Sequence, residues 1–166
     1  MSETSHETLV GSQFGSRAEA YLKSAVHSKS EDLEALVGLM AGRSEARVLD
    51  LGCGGGHVTF NVAPLVREIV AYDLSREMLG VVEKAARERH LSNVVTRQGA
   101  VEKLPFEDKS FDAVLSRFSA HHWTDLDAGL SEAARVVKPG GMVAIADTVT
   151  PGVPLLDTYF QAIELL

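Results

Sequence analysis

A chain of 166 residues has the length of one domain with a sizeable core, and an apolar share of 45% supplies the side chains to fill it. Acidic side chains outnumber basic ones by 23 to 16, for a formal charge of −7, which argues against a nucleic-acid backbone as the main partner because phosphate binding relies on basic patches. One cysteine, Cys53, excludes an internal disulfide and suits a reducing cytoplasm. The opening residues, MSETSHET, are polar and acidic, unlike a signal peptide, and no apolar run approaches the roughly 20 residues that cross a bilayer. A soluble, cytoplasmic protein with no membrane span is the expectation.

In chain order, residues 1–12 are rich in Ser, Thr and Glu and carry no periodicity. A helical pattern begins at Ser16, with Ala18, Tyr21, Leu22 and Ala25 near one face. Ser30 reads as the N-cap of a second helix, with Glu31 and Asp32 at its positive end, Leu33, Leu36, Val37 and Met40 on its apolar face, and Gly42 as its stop. A first strand over Arg47–Leu51 runs into a Gly-rich loop and then a helix through Val62 and Val66. A second, Ile69–Tyr72, ends in Asp73, after which Ser75 caps a helix carrying Met78, Leu79, Val82 and Ala86 on one side. Asn93–Arg97 and Phe111–Leu115 read as the third and fourth strands. A helix with Leu126, Leu130, Ala133 and Val137 follows, halted by Pro139, Gly140 and Gly141; Met142–Ala146 is the fifth strand, and Pro154 opens a last helix. Short apolar strands alternating with amphipathic helices predict an α/β doubly wound domain with a mainly parallel sheet, with ligands beyond the carboxyl ends of its strands. No repeat or low-complexity linker interrupts it.

The stretch VLDLGCGGGHVTF, Val48 to Phe60, is where a ligand is expected. Four of the five residues from Gly52 to Gly56 lack a side chain, so the backbone can turn tightly and let another molecule lie against it. The alternative is an ordinary strand-to-helix turn. A dinucleotide fingerprint G-x-G-x-x-G fails in either register, because His57 or Thr59 stands in the third glycine position. The pattern that fits is D-x-G-x-G-x-G, formed by Asp50, Gly52, Gly54 and Gly56. Asp73 lies 17 residues after Gly56, at the end of the second strand, where a carboxylate can accept hydrogen bonds from two ribose hydroxyls; a solvated turn aspartate is the bland alternative. Leu74 and Met78 could wall a purine ring, and Met78 suits helix packing equally. Cys53 reads as a small filler of the loop.

These motifs, VLDLGCGGG, AYDLS with EML, EKLPFEDKSFDAVLSRFSAHHW and RVVKPGGMVAIAD, resemble in the same order those of the class I S-adenosylmethionine-dependent methyltransferases, with the closest likeness to the ubiquinone and menaquinone biosynthesis type and its small-molecule relatives. The resemblance covers roughly residues 14–147. It implies a Rossmann-like fold, S-adenosylmethionine as cofactor and a small-molecule methyl acceptor, aromatic or quinone-like. It further implies that Asp50, Gly52, Gly54 and Gly56 surround the methionine part of the cofactor and that Asp73 holds the ribose, with Leu74 and Met78 near the adenine. Val101 would offer its N–H to the adenine edge, and Arg117 would lie near the methyl-donating end. Residues 1–29 would form an N-terminal segment whose helix covers the site, making Phe14, Tyr21 and Ser24 lid residues, with residues 30–166 as the core.

The chain departs from the family pattern twice. Relatives commonly carry G-D-A-E where this sequence has GAVE, so Ala100 replaces an aspartate that can take the adenine amino group, a neutral hydrogen bond of about 0.5–1.5 kcal/mol. The family fold also continues into an antiparallel hairpin after the fifth strand, whereas this sequence ends at Leu166, so a core incomplete at its C-terminus and a sheet edge free to pair with a second copy are expected. Methyl transfer needs orientation more than acid-base chemistry, and a base only if the acceptor must lose a proton. His121, His122 and His27 are the base candidates, His122 being placed nearest the rim, and core or surface roles are the alternative for each. No spaced ligand set points to a metal. Trp123 walls the acceptor pocket or fills core. A nucleoside-binding module without catalysis and an NAD-dependent oxidoreductase are the competing functions.

Overall fold

The computed structural model describes residues 30–149. The helical pattern around Tyr21 and the helix opening at Pro154 lie outside the described residues. Within them, helix α1 (Glu31–Gly38) precedes strand β1 (Arg47–Leu51), and α2 (His57–Val62) with a 3-10 turn (Ala63–Leu65) leads to β2 (Glu68–Asp73). Helix α3 (Arg76–Glu88) and β3 (Val94–Gln98) follow, then β4 (Phe111–Arg117), a 3-10 turn (Ala120–His122), α4 (Leu126–Val136) and β5 (Val137–Ala146). Every strand pairing is parallel, in the order β3-β2-β1-β4-β5. The predicted strands lie within a residue or two of the observed ones except at the start of the fifth.

Alternation along each strand divides the core. Val48, Ile69, Ala113 and Leu115 face α1 and α2 with Leu33, Leu36, Met40, Val58 and Val62, while Ala71 joins Leu79, Val82 and Ala86 of α3. On the other face Leu49, Leu51, Val70, Tyr72 and Val114 pack with Ala133 and Val136 of α4. Burial on both faces is why these strands read as continuous apolar runs.

Three local differences from the sequence reading have physical causes. The second helix ends at Gly38 rather than Gly42, the intervening residues continuing as turns up to Gly42, whose φ is +73°. Strand β5 begins at Val137 rather than Met142, because Phe111 pairs with Val137 and Ala113 with Met142, so that Lys138 to Gly141 bulge out of the ladder instead of ending the helix. Helix α4 buries Gly129, Ala133 and Val136, leaving Leu126 48% and Leu130 37% exposed, contrary to the expected Leu126/Leu130/Val137 face. Gly129 rotates the stripe: the Trp123 ring lies where its Cβ would be, 2.6 Å away at Cε3.

The long loop after β3 is fastened to α4 by Arg135. Its guanidinium donates to the carbonyls of Leu104 (3.0 Å) and Phe106 (2.8 Å) and pairs with Glu132 and Asp108. A Cβ on Gly141 would stand 2.7 Å from the Asp112 carbonyl oxygen, which is backbone and cannot move aside cheaply. Gly141→Ala is expected to destabilise the fold by about 1–3 kcal/mol, whereas Gly38→Ala, which meets nothing within 4 Å, should be neutral or mildly stabilising; urea denaturation of the pair checks this.

Candidate nucleoside-binding site

In the strand order β3-β2-β1-β4-β5 the direction of winding reverses beside β1, which opens a crevice at the carboxyl ends of β1 and β4. The Gly loop occupies that point. Gly52, Gly54 and Gly56 have φ of +72°, +49° and +84°, a region closed to most side chains. The N–H groups of Gly52 and Cys53 both donate to the Tyr72 carbonyl, at 2.8 and 3.0 Å, so the loop folds over the end of β2. The Asp73 carboxylate completes the attachment, with Oδ2 accepting from Gly54 N–H at 2.8 Å and Oδ1 from Ser75 N–H at 2.9 Å. At Gly52 a Cβ would fall 1.8 Å from Ser119 Oγ, whereas at Gly54 it would meet no atom within 4 Å. The loop is packed from behind at Gly52 and open in front at Gly54.

Its two acids carry unusual electrostatics. Asp50 is 1% exposed and accepts from the Thr59 hydroxyl at 2.6 Å. Burial pushes its carboxyl up to about 7, and the nearby charge of Asp73 adds to this, while Thr59 and the charge of Arg117 oppose it. Asp73 is also raised by burial, against the bonds from Ser75, Gly54 and Leu74. Burial at this depth disfavours the charged form of each carboxyl, a cost that a neighbouring cation would offset. The sulfonium and amino groups of S-adenosylmethionine fit such a donor set. Burial and both acids push the Cys53 thiol well up, which agrees with its reading as filler.

The other expected site residues fall in several places. Leu74 is half-buried, and its carbonyl accepts from Gln98 Nε2 at 3.0 Å. Met78 is 2% exposed, which is packing in the interior rather than a face of an open cleft. The Ala100 carbonyl accepts from the Tyr72 hydroxyl at 3.1 Å, and Val101 packs in the core with Trp123. Trp123 packs against that core, and its Nε1–H donates to Ser119 Oγ at 3.1 Å beside the loop. Tyr21, His27, Phe14 and Ser24 lie outside the described residues.

Arg117, expected at the methyl-donating end, is the last residue of β4. Its guanidinium is buried, pairs with Asp32, donates to Ser30 Oγ at 2.8 Å and lies 4.3 Å over the Phe118 ring, thereby tying the end of β4 to the start of α1. Burial raises the Asp32 carboxyl, but the bonds from Arg117 and Ser30 outweigh it and bring the group below its usual range. Ser30, placed as an N-cap, makes no side-chain cap bond to the helix. The histidine pair is not extended but lies in a 3-10 turn with its rings 3.9 Å apart, and it is His121, not His122, whose Nδ1 meets the Asp147 carboxylate at 2.5 Å. Among the described residues no group of three or more His, Cys, Asp or Glu could hold a metal ion, and no helix is long and apolar enough to cross a membrane.

Sequence reasoning missed Thr59, Ser119, Asp32 and Asp147. Only Thr59 had a local signal, being a polar residue on the otherwise apolar buried face of α2.

A parallel sheet wound about an acid-flanked Gly loop defines a Rossmann-like domain of the class I S-adenosylmethionine-dependent methyltransferase type. Residues 49–145 match the family described as methyltransferase domain, and the chain belongs to that family. It is similar to the uncharacterized protein YafE of Escherichia coli (50% identity over 115 residues, 69% of this chain and 56% of YafE). It is also similar to the uncharacterized methyltransferase YcgJ of Bacillus subtilis (37% over 153 residues, 92% and 60%), whose crystal structure superposes with a TM-score of 0.74 over 80% of this chain and 57% of YcgJ. The demethylmenaquinone methyltransferase of Corynebacterium glutamicum (strain R) shares 39% identity over 115 residues, 69% of this chain and 47% of that enzyme. The chain therefore spans about half to three fifths of the length of these curated relatives.

The folded protein keeps the Asp50 proton up to about pH 7, whereas the unfolded chain releases it near the ordinary value of 3.8. Between those values the folded state binds more protons, so this residue makes stability fall as pH rises. Asp50→Asn is expected to flatten the decline in melting temperature from pH 5 to pH 8, a difference of up to a few kcal/mol, read by calorimetric melts of both proteins.

Proposed function

We propose that this chain carries the cofactor site of an S-adenosylmethionine-dependent methyltransferase acting on a small, apolar or aromatic acceptor of quinone-like character. The observation that carries the reading is the Gly54 backbone, open in front and held from behind by Asp73. In this reading Asp73 offers its remaining lone pairs to the ribose hydroxyls, and Gly52, Gly54 and Gly56 accommodate the methionine part. Asp50 holds Thr59 beneath the loop and becomes charged there when a cation lies beside it. Leu74 and the Ala100–Val101 backbone border the adenine, while Met78 acts from below by packing. Arg117 positions the start of α1, and Tyr21 is assigned in this reading as a further cofactor contact.

S-adenosylmethionine supplies, when bound, a methyl group already activated on a cationic sulfur. The protein's work is then to orient an acceptor and to exclude water, which can account for most of the rate effect. The quinone-like acceptor is supported by the demethylmenaquinone methyltransferase relative. The net charge of −7 supports a partner other than nucleic acid, and the lone cysteine supports a reducing compartment such as the cytoplasm. Among the described residues strand β5, with Val143 and Ile145 exposed, ends the sheet, and it is the edge at which a second copy would pair in this reading.

Titration calorimetry tests the reading. S-adenosylmethionine should bind and NAD should not, and Asp73→Ala should weaken the cofactor at least about tenfold through loss of charge-assisted hydrogen bonds. Binding of NAD alone, or an unchanged affinity in the variant, would reverse the assignment.

A further inference from the structure

We propose that Tyr72 is the positioning residue that sets base selectivity at the nucleoside site, by joining the Gly loop to the turn after β3 and fixing the Ala100–Val101 backbone against the purine edge. The proposal rests on the methyltransferase reading above, in which the adenine lies beside that backbone.

Tyr72 precedes Asp73 at the end of β2, the strand between β1 and β3, and it is fully buried. Its two polar ends hold different segments. The carbonyl accepts from the N–H groups of Gly52 and Cys53 at 2.8 and 3.0 Å, and the side-chain hydroxyl donates to the Ala100 carbonyl at 3.1 Å. One residue thus fastens the loop after β1 and the turn after β3. Gly99 is fitted to the same phenol: its N–H donates to the Asp73 carbonyl at 3.1 Å, and a Cβ there would stand 2.0 Å from the Tyr72 hydroxyl oxygen and 2.9 Å from Cζ. The ring itself is packed edge-on against Phe106, with centroids 5.6 Å apart, and Phe106 against Phe111 at 5.0 Å. A ring so enclosed has no room to swing aside. Burial, with the charges of Glu102 and Glu132, pushes the hydroxyl up to about 12, so it remains a donor throughout the neutral range.

The later part of the same loop is held from the side of α4. Glu102 accepts from the N–H groups of Thr124 and Asp125 at 2.9 and 3.3 Å, and Glu132 of α4 accepts from Leu104 N–H at 2.7 Å. The part beside Asp73 is held by Tyr72. Ala100 brings only a methyl group to the base, and its carbonyl already accepts from the Tyr72 hydroxyl and from Lys103 N–H at 3.4 Å. In this reading the Val101 N–H meets the base, on a residue whose side chain is locked in the core with Trp123. Adenine presents an acceptor at N1, whereas hypoxanthine carries a hydrogen there, so a donor would face a donor and both would go unpaired. Such discrimination requires an N–H that cannot turn away. The bond from Tyr72 to the adjoining carbonyl supplies that restraint before the base arrives.

The test is base selectivity, read by calorimetry with S-adenosylhomocysteine and S-inosylhomocysteine, which share sugar and amino acid and differ only at the purine edge. The wild type should prefer the adenosyl compound by at least about tenfold. Tyr72→Phe, which keeps the ring and removes the hydroxyl, should weaken the adenosyl compound about three- to tenfold and change the inosyl compound by less than about twofold, so that the preference shrinks. Gly99→Ala, which displaces the hydroxyl from the opposite side, should shrink it as well, and either variant alone decides the question. Equal weakening of both compounds, the mark of a merely structural role, overturns the proposal, as does an unchanged preference in the variants or a wild type that binds the two alike. A wild type that binds neither overturns the methyltransferase reading and this proposal together, whereas tight adenosyl binding with selectivity untouched by the variants overturns this proposal alone.

Discussion

The carboxylate of Asp73 joins two segments that neither strand could hold alone. One oxygen accepts from the N–H of Gly54 in the loop after β1, and the other accepts from the N–H of Ser75 at the head of α3. Both segments lie beyond the strand ends, where ladder hydrogen bonds are no longer available to backbone donors. A half-buried acceptor with two oxygens replaces those bonds and fixes the loop. Such preorganisation lowers the ordering cost of binding. Glycine at position 54 suits the same constraint, since its φ of +49° is a conformation that most side chains adopt only at a cost.

The charge state of the site follows from its depth. Asp50 and Asp73 approach one another under the loop, and burial holds both above their usual range. Arg117, whose charge lowers Asp50, is at the same time bonded to Asp32 and Ser30. One guanidinium thus links the acid beneath the loop to the start of α1. Crossing elements in this way makes the rim one connected polar system rather than a row of independent side chains.

Much of the fold was legible because its strands are buried on both faces and therefore read as short unbroken apolar runs, as Val48–Leu51 and Ile69–Tyr72 do. The Gly loop and Asp73 were legible for a related reason: their residue types are those that an unusual backbone and a strand-end acceptor demand. Contacts between distant residues were not. Pairing of Arg117 with Asp32 requires α1 to lie across the end of β4, and pairing of His121 with Asp147 requires β4 and β5 to be neighbours, facts of topology that no local pattern carries. The start of β5 was misjudged because Lys-Pro-Gly-Gly is ordinary turn chemistry. Here the pairing of Phe111 with Val137 recruits it into the strand as a bulge. The exposed face of α4 was misjudged because a glycine, Gly129, is buried against Trp123, and periodicity of large apolar residues cannot register it.

The account depends most on the loop from Gly52 to Gly56 and its Asp73 anchor being where the nucleoside sits. Hydrogen exchange read by mass spectrometry, with and without saturating S-adenosylhomocysteine, addresses that claim directly. Protection should appear in the peptides covering residues 52–57 and 73–76, while the bulge at 138–141 stays unchanged. Unaltered exchange in both loop peptides at a concentration where calorimetry shows the compound bound would contradict the account and place the ligand elsewhere on the protein.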